Sequence, residues 1–121
     1  MARWLVRRGW HILARRQRTP MAEIDLVASH DGELVCVEVK TGRIGPCFGA
    51  PGRDPWPGAW RPGERLSARS LARQRQAGAH LARVWGRGNL RGGRVDLIEV
   101  LIESGRTTPR IVHHARLSEP I

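Results

Sequence analysis

The stretch Met21-Ala-Glu-Ile-Asp-Leu-Val-Ala-Ser-His-Asp-Gly-Glu-Leu-Val-Cys-Val-Glu-Val-Lys40 decides the fold. Two runs rich in Ile, Leu and Val flank Asp31-Gly32, a strong short-range signal for a two-residue type I′ hairpin turn. With that turn as the loop, His30 faces Glu33, Leu26 faces Val37, Asp25 faces Glu38 and Glu23 faces Lys40. Side chains alternate between the faces of a strand, so Glu23, Asp25, Glu38 and Lys40 gather on one side. Directly opposed side chains sit about 5 Å apart at Cβ, where like charges repel. A Glu opposite an Asp therefore calls for a counter-charge. Lys40 supplies one, and a divalent cation taking carboxylate oxygens and water would supply more.

A plainer reading makes these four residues the wet face of a half-exposed hairpin, as antiparallel sheets often have. Two features weigh against it. Leu34-Val35-Cys36-Val37 is a continuous apolar run, the pattern of a strand covered on both faces. In addition, Lys40 is the only lysine among 21 basic residues. A compact ammonium retained in an arginine-rich chain fits a position that needs a point charge.

Asp25, a gap of twelve residues and then Glu38-Val39-Lys40 resembles the metal-binding motif of the PD-(D/E)xK nuclease superfamily. Ile12-Leu-Ala-Arg15, Arg18, Glu23-Ile-Asp-Leu-Val-Ala28, Val37-Glu-Val-Lys40, Phe48-Gly-Ala-Pro51 and Arg94-Val-Asp-Leu97 together look like the YraN family of small uncharacterised bacterial proteins. The resemblance spans nearly the whole chain. It implies a restriction endonuclease-like α/β fold, a mixed central sheet flanked by helices with an αβββαβ core. It also implies Mg²⁺ or Mn²⁺ held by Asp25, Glu38 and the carbonyl of Val39, with Lys40 as the catalytic ammonium and Glu23 either steadying Lys40 or binding a second ion. In the resembled family the first helix begins with an acidic residue that can join the metal site, and Met1 falls after that position.

A chain of 121 residues fits one domain spanning 1–121 and can bury roughly two-thirds of its unfolded surface without disulfide staples. The formal charge of +10 and a pI near 11.6 point to a polyanionic partner, because arginines that neutralise phosphates release counterions. Nucleic acid, DNA above all, is the expected partner, and a homodimer is left open. Two cysteines cannot form the framework of a small secreted domain, so both read as free thiols. Neither a signal-peptide pattern nor an apolar run of about 18 residues is found, so the expectation is a cytoplasmic chain that does not enter the membrane.

Along the chain, residues 2–8 read as a short helix closed by Gly9, residues 10–16 as the first strand and Thr19-Pro20 as a turn. Residues 41–63 are rich in Pro and Gly and lack any period. This is a long loop in which Trp56 and Trp60, with Arg43, Arg53 and Arg61, are placed to stack on bases or to fold back on the core. Residues 64–87 form the best helix, with Ser67 as N-cap and Leu71, Gly78, Leu81 and Trp85 as its apolar stripe beside Ala68, Ala72 and Ala82. Arg69 and Arg73 on its polar face, and Arg18 before the hairpin, are the candidate phosphate contacts; the alternative is a solvated basic surface. Gln74 and Gln76 resemble a helix glutamine of some superfamily nucleases, although their spacing is not diagnostic.

After a glycine turn at 86–93, residues 94–103 read as a strand joined to the hairpin by a right-handed parallel crossover. Here Asp96 is expected in a buried ion pair and Glu99 as a surface charge. Residues 109–115 read as an edge strand, whose adjacent His113 and His114 point to opposite faces. The chain shows no zinc pattern, phosphate-cradling glycine motif or nucleophilic Ser or Cys arrangement. Two functional readings result, a metal-dependent endonuclease and a nucleic-acid-binding module with a degenerate nuclease fold. A basic ribonucleoprotein component would explain the charge but not the acids of the hairpin.

Overall fold

The computed structural model describes residues 1–44, 60–86 and 90–121. In chain order they form α1 (Ala2–Val6), β1 (His11–Arg18), β2 (Glu23–His30), β3 (Glu33–Ile44), a 3-10 turn (Pro62–Arg65), α2 (Ala68–Val84), β4 (Arg91–Glu103) and β5 (Arg110–His114). The five strands form one sheet in the order β1-β2-β3-β4-β5. β1, β2 and β3 run antiparallel, β4 lies parallel to β3, and β5 returns antiparallel to β4. This mixed α/β architecture is consistent with the restriction endonuclease-like core.

The hairpin turn has the expected form, with Asp31 at φ 51 and Gly32 at φ 72, positive at both central positions as type I′ requires. Pairing runs from His30↔Glu33 to Leu26↔Val37 in the expected register. The run Leu34–Val37 is fully buried because both faces of β3 are covered. Val35 and Val37 pack with Leu5, Trp10, Leu26, Ala28 and Ile98 on the α1 side. Leu34 and Cys36 pack with Leu71, Ala77, Leu81, Val95 and Leu97 on the α2 side.

Close approach of α2 to the sheet depends on one helical glycine. A Cβ on Gly78 would lie 2.9 Å from Cys36 Sγ. The Cys36 thiol in turn donates to the Gln74 carbonyl at 3.5 Å. Burial pushes the Cys36 thiol up to about 12, so it stays protonated and acts as a small packing group.

Several boundaries differ from the sequence expectation. α2 begins at Ala68, because Pro62–Arg65 forms a 3-10 turn and Leu66 is extended at φ −84, ψ 101. The Ser67 hydroxyl caps the helix as expected, accepting from the Ser70 N–H at 3.1 Å. The buried stripe is Leu71, Gln74, Ala77, Gly78 and Leu81, while Ala68 and Ala72 are exposed. β3 continues to Ile44, which shortens the long loop at its start. Phe48-Gly-Ala-Pro51, Arg53 and Trp56 lie outside the described residues. Among those described, no helix is long and apolar enough to cross a membrane.

Glu99 is the clearest correction. Expected as a surface charge, it has 0% exposure, because β5 closes one side of β4 and the segment 61–63 covers its face. Its carboxylate accepts from Arg61 Nε at 3.0 Å, from the Gly63 N–H at 2.9 Å and from His114 Nε2 at 2.7 Å. Arg61 is therefore a structural partner of Glu99, not a base-stacking loop residue.

Candidate active site

The β2–β3 ladder ends at Leu26↔Val37, one residue short of the acids, and from there the strands part. Asp25 bridges the opening, where Oδ2 accepts from the Val39 N–H at 2.9 Å. A side chain thus supplies the acceptor that a strand would otherwise provide. Its second oxygen, Oδ1, has no hydrogen-bond partner among the described residues. Glu38 and Lys40, two apart on one strand, share a face, and Lys40 Nζ lies 2.9 Å from Glu38 Oε1. The other Glu38 oxygen accepts from Gln74 Nε2 at 2.7 Å. Gln74 Oε1 is buried with no hydrogen-bond partner among the described residues.

These side chains line one pocket of about 230 Å³, together with Met21, Ala22, Glu23, Leu66, Ser70 and Arg73. The structure therefore brings Glu23, Asp25, Glu38, Lys40 and Arg73 to the same place. Lys40 pairs with Glu38 and not with Glu23, because the ladder has ended before those two can face each other. Glu23 is exposed at the rim. Among the described residues no group of three or more His, Cys, Asp or Glu side chains is spaced to hold a metal ion. Of the other expected phosphate contacts, Arg69 stands exposed one turn before Arg73, and Arg18 is exposed at the end of β1; neither lines the pocket.

The donor set suits a hard cation. A carboxylate offers about four acceptor positions; Asp25 uses one of them and Glu38 two. Mg²⁺ commonly binds through one or two carboxylates and keeps several waters, so a third acid is not required. Gln74 Oε1 is closed off from solvent, so Gln74 acts on the pocket through its Nε2 bond to Glu38. Gln74 is the site residue that the apolar-stripe reading left out. The available signal was its spacing, three residues after Leu71 and four before Gly78, which puts it on the buried stripe.

Two further acids lie on opposite faces of β4, and both are saturated. Asp96 accepts from Arg94 through Nε and Nη2, both at 2.9 Å, from His113 Nε2 at 2.7 Å and from the Arg116 N–H at 3.1 Å. Burial alone would raise the Asp96 pKa, but hydrogen bonds from His113, Arg94 and the Arg116 backbone outweigh it and hold the group below the usual range. Glu99 is likewise opposed by burial, yet its bonds from His114, Arg61 and Gly63 bring it down to about 2. As expected, Asp96 is a buried ion-pair partner, and His113 and His114 serve opposite faces of the sheet.

Comparison with known proteins places the chain. The family model for the uncharacterised protein family UPF0102 matches residues 1–100. The chain belongs to UPF0102. A UPF0102 protein of Roseiflexus castenholzii is 54% identical over 54 residues, covering 45% of this chain and 37% of the relative. A Corynebacterium efficiens member is 38% identical over 100 residues, 81% of this chain and 68% of its own length. A Caulobacter member is 35% identical over 105 residues, 87% and 64% respectively. The chain thus spans well under two-thirds of the first UPF0102 relative and about two-thirds of the other two.

Proposed function

We propose that this UPF0102 chain is a metal-dependent endonuclease that hydrolyses phosphodiester bonds in DNA. The observation that carries this reading is the pocket itself. Two carboxylates with acceptor positions to spare, Asp25 and Glu38, stand beside the single lysine of an arginine-rich chain. Asp25 and Glu38 would hold Mg²⁺ or Mn²⁺, with the Val39 carbonyl as a further oxygen donor. Such an ion lowers the pKa of a coordinated water and offsets charge developing on phosphate.

The chain's own groups do the rest. The Val39 N–H fixes the rotamer of Asp25, and Gln74 fixes Glu38 from the opposite wall. Lys40 Nζ is placed to orient an attacking water, whose proton passes to solvent as the leaving ester oxygen takes one up. The Lys40 ammonium stabilises charge on the phosphate oxygens as the water oxygen bonds to phosphorus and an ester P–O bond breaks. Arg73 at the pocket wall, with Arg69 a turn away and Arg18 beyond, grips flanking phosphates without reading sequence. Glu23 at the rim is placed to take a second ion or a water.

Cleavage of plasmid and branched DNA with Mg²⁺ and Mn²⁺ tests this scheme. Cleavage should stop on chelation, and Asp25→Ala and Lys40→Ala should each lower it by about 10²–10³-fold or more. Unchanged cleavage in either variant overturns the mechanism.

One observation favours a second reading. Both Glu38 oxygens already have protein partners, as they would in a domain that binds nucleic acid without cutting it. That binder would show salt-sensitive DNA affinity with no dependence on divalent ions.

A further inference from the structure

Glu38, Lys40 and Gly42 alternate onto one face of β3, so Gly42 lies two residues, roughly 7 Å, beyond the ammonium. A Cβ on Gly42 would meet Pro62 Cβ at 3.0 Å and Trp60 Cη2 at 3.3 Å. Trp60 therefore lies over the strand just downstream of the pocket, on the pocket's own face. Trp60 as a residue is 52% exposed. The other described tryptophans are covered: Trp10 is buried and stacked on His30, Arg8 lies over Trp4, and Trp85 packs against the α2-side core.

A lone exposed aromatic on a mobile tip would mean little, but Trp60 is held. The next residue, Arg61, is tied to the buried Glu99 carboxylate, and two residues on the Gly63 N–H binds the same group. Gly63 is packed so closely that a Cβ would fall 2.8 Å from Glu99 Oε2. Arg65 Nη2 fastens the same segment to β3 through the Thr41 carbonyl at 2.6 Å. The segment 60–65 thus presents an apolar ring rigidly beside a site flanked by the exposed Arg65, Arg69 and Arg73.

We propose that Trp60 is a stacking platform for an unpaired nucleobase next to the phosphate gripped by Lys40 and Arg73 at the Asp25–Glu38 pocket, which makes strands with an unpaired flank the preferred ligand over continuous duplex. The inference rests on the nuclease reading for the position of that phosphate. A base inside a duplex has both faces covered by its neighbours, whereas an unpaired base offers a free face. Stacking of that kind is tolerant of sequence.

The test is fluorescence anisotropy in EDTA with labelled oligothymidine and a labelled duplex of equal length, using wild type, Trp60→Ala and Trp60→Phe. Because no cleavage is involved, failure of the nuclease reading and failure of this inference can be told apart. Trp60→Ala should weaken oligothymidine binding by about 5- to 150-fold, change duplex binding less than about 2-fold, and be largely restored by Trp60→Phe. The retained duplex affinity reports that the variant is folded. Equal losses on both ligands, no loss on oligothymidine, or no binding of oligothymidine by wild type overturns the proposal.

Discussion

Two sets of acids in this sheet are handled in opposite ways. Asp96 and Glu99, both at 0% exposure, are saturated: each is gripped by an arginine, a histidine and a backbone N–H. Asp25 and Glu38 border a pocket, form no ion pair with an arginine among the described residues, and keep acceptor positions in reserve. A buried carboxylate is tolerable only when its hydrogen-bonding capacity is used. Spare capacity next to a lysine is what the proposed metal-binding role draws on, while the saturated pair ties β4 to its neighbours.

Replacing one acid from each set should separate stability from activity. The largest effect is expected from Asp96→Asn, which takes from the buried Arg94 the nearer of its two carboxylates, leaving Glu33 at 3.4 Å, and should cost about 3–5 kcal/mol in urea unfolding. Asp25→Asn keeps an acceptor for the Val39 N–H and should shift stability by less than about 1 kcal/mol while abolishing cleavage. Similar unfolding losses in both variants would erase the distinction.

Next in size is the acid limb of stability. Glu99 falls from an ordinary 4.5 to about 2 in the folded chain, so its charged form is favoured by folding. That contribution is present above about pH 4.5 and is lost as the pH falls toward 2, a change on the order of 3 kcal/mol. Unfolding free energy measured across that window should flatten in Glu99→Gln, whose overall stability is lower. A slope equal to that of wild type would assign the acid sensitivity to other groups.

The smallest effect comes from the support of the pocket. Gly78→Ala would bring a Cβ to 2.9 Å from Cys36 Sγ and push α2 off β3, at about 1–3 kcal/mol. Because the same helix carries Gln74 to Glu38, cleavage should fall by more than the stability loss explains. Full activity in a folded Gly78→Ala protein would show that the seating of α2 does not tune the pocket.

The parts of the fold legible in sequence were those set by local chemistry. Asp31-Gly32 set the hairpin register, Leu34–Val37 announced a strand covered twice, and Ser67 is the cap expected of α2, although the helical pattern was carried back to residue 64. Residues set by distant contacts were not legible. Nothing near Glu99 in sequence shows that Arg61, Gly63 and His114 converge on it. A resemblance singled out Gln74 together with Gln76, and only the contact with Glu38 distinguishes the two. The expected Glu23↔Lys40 pair failed because periodicity cannot tell where a ladder stops, and the stopping point is what opens the pocket.

A crystal soaked in Mn²⁺ addresses the central claim most directly. We expect an anomalous peak at coordination distance from Asp25 Oδ1 and a Glu38 oxygen, absent from the Asp25→Asn crystal. A peak elsewhere, or none while Lys40 and Gln74 keep their hold on Glu38, would contradict the account.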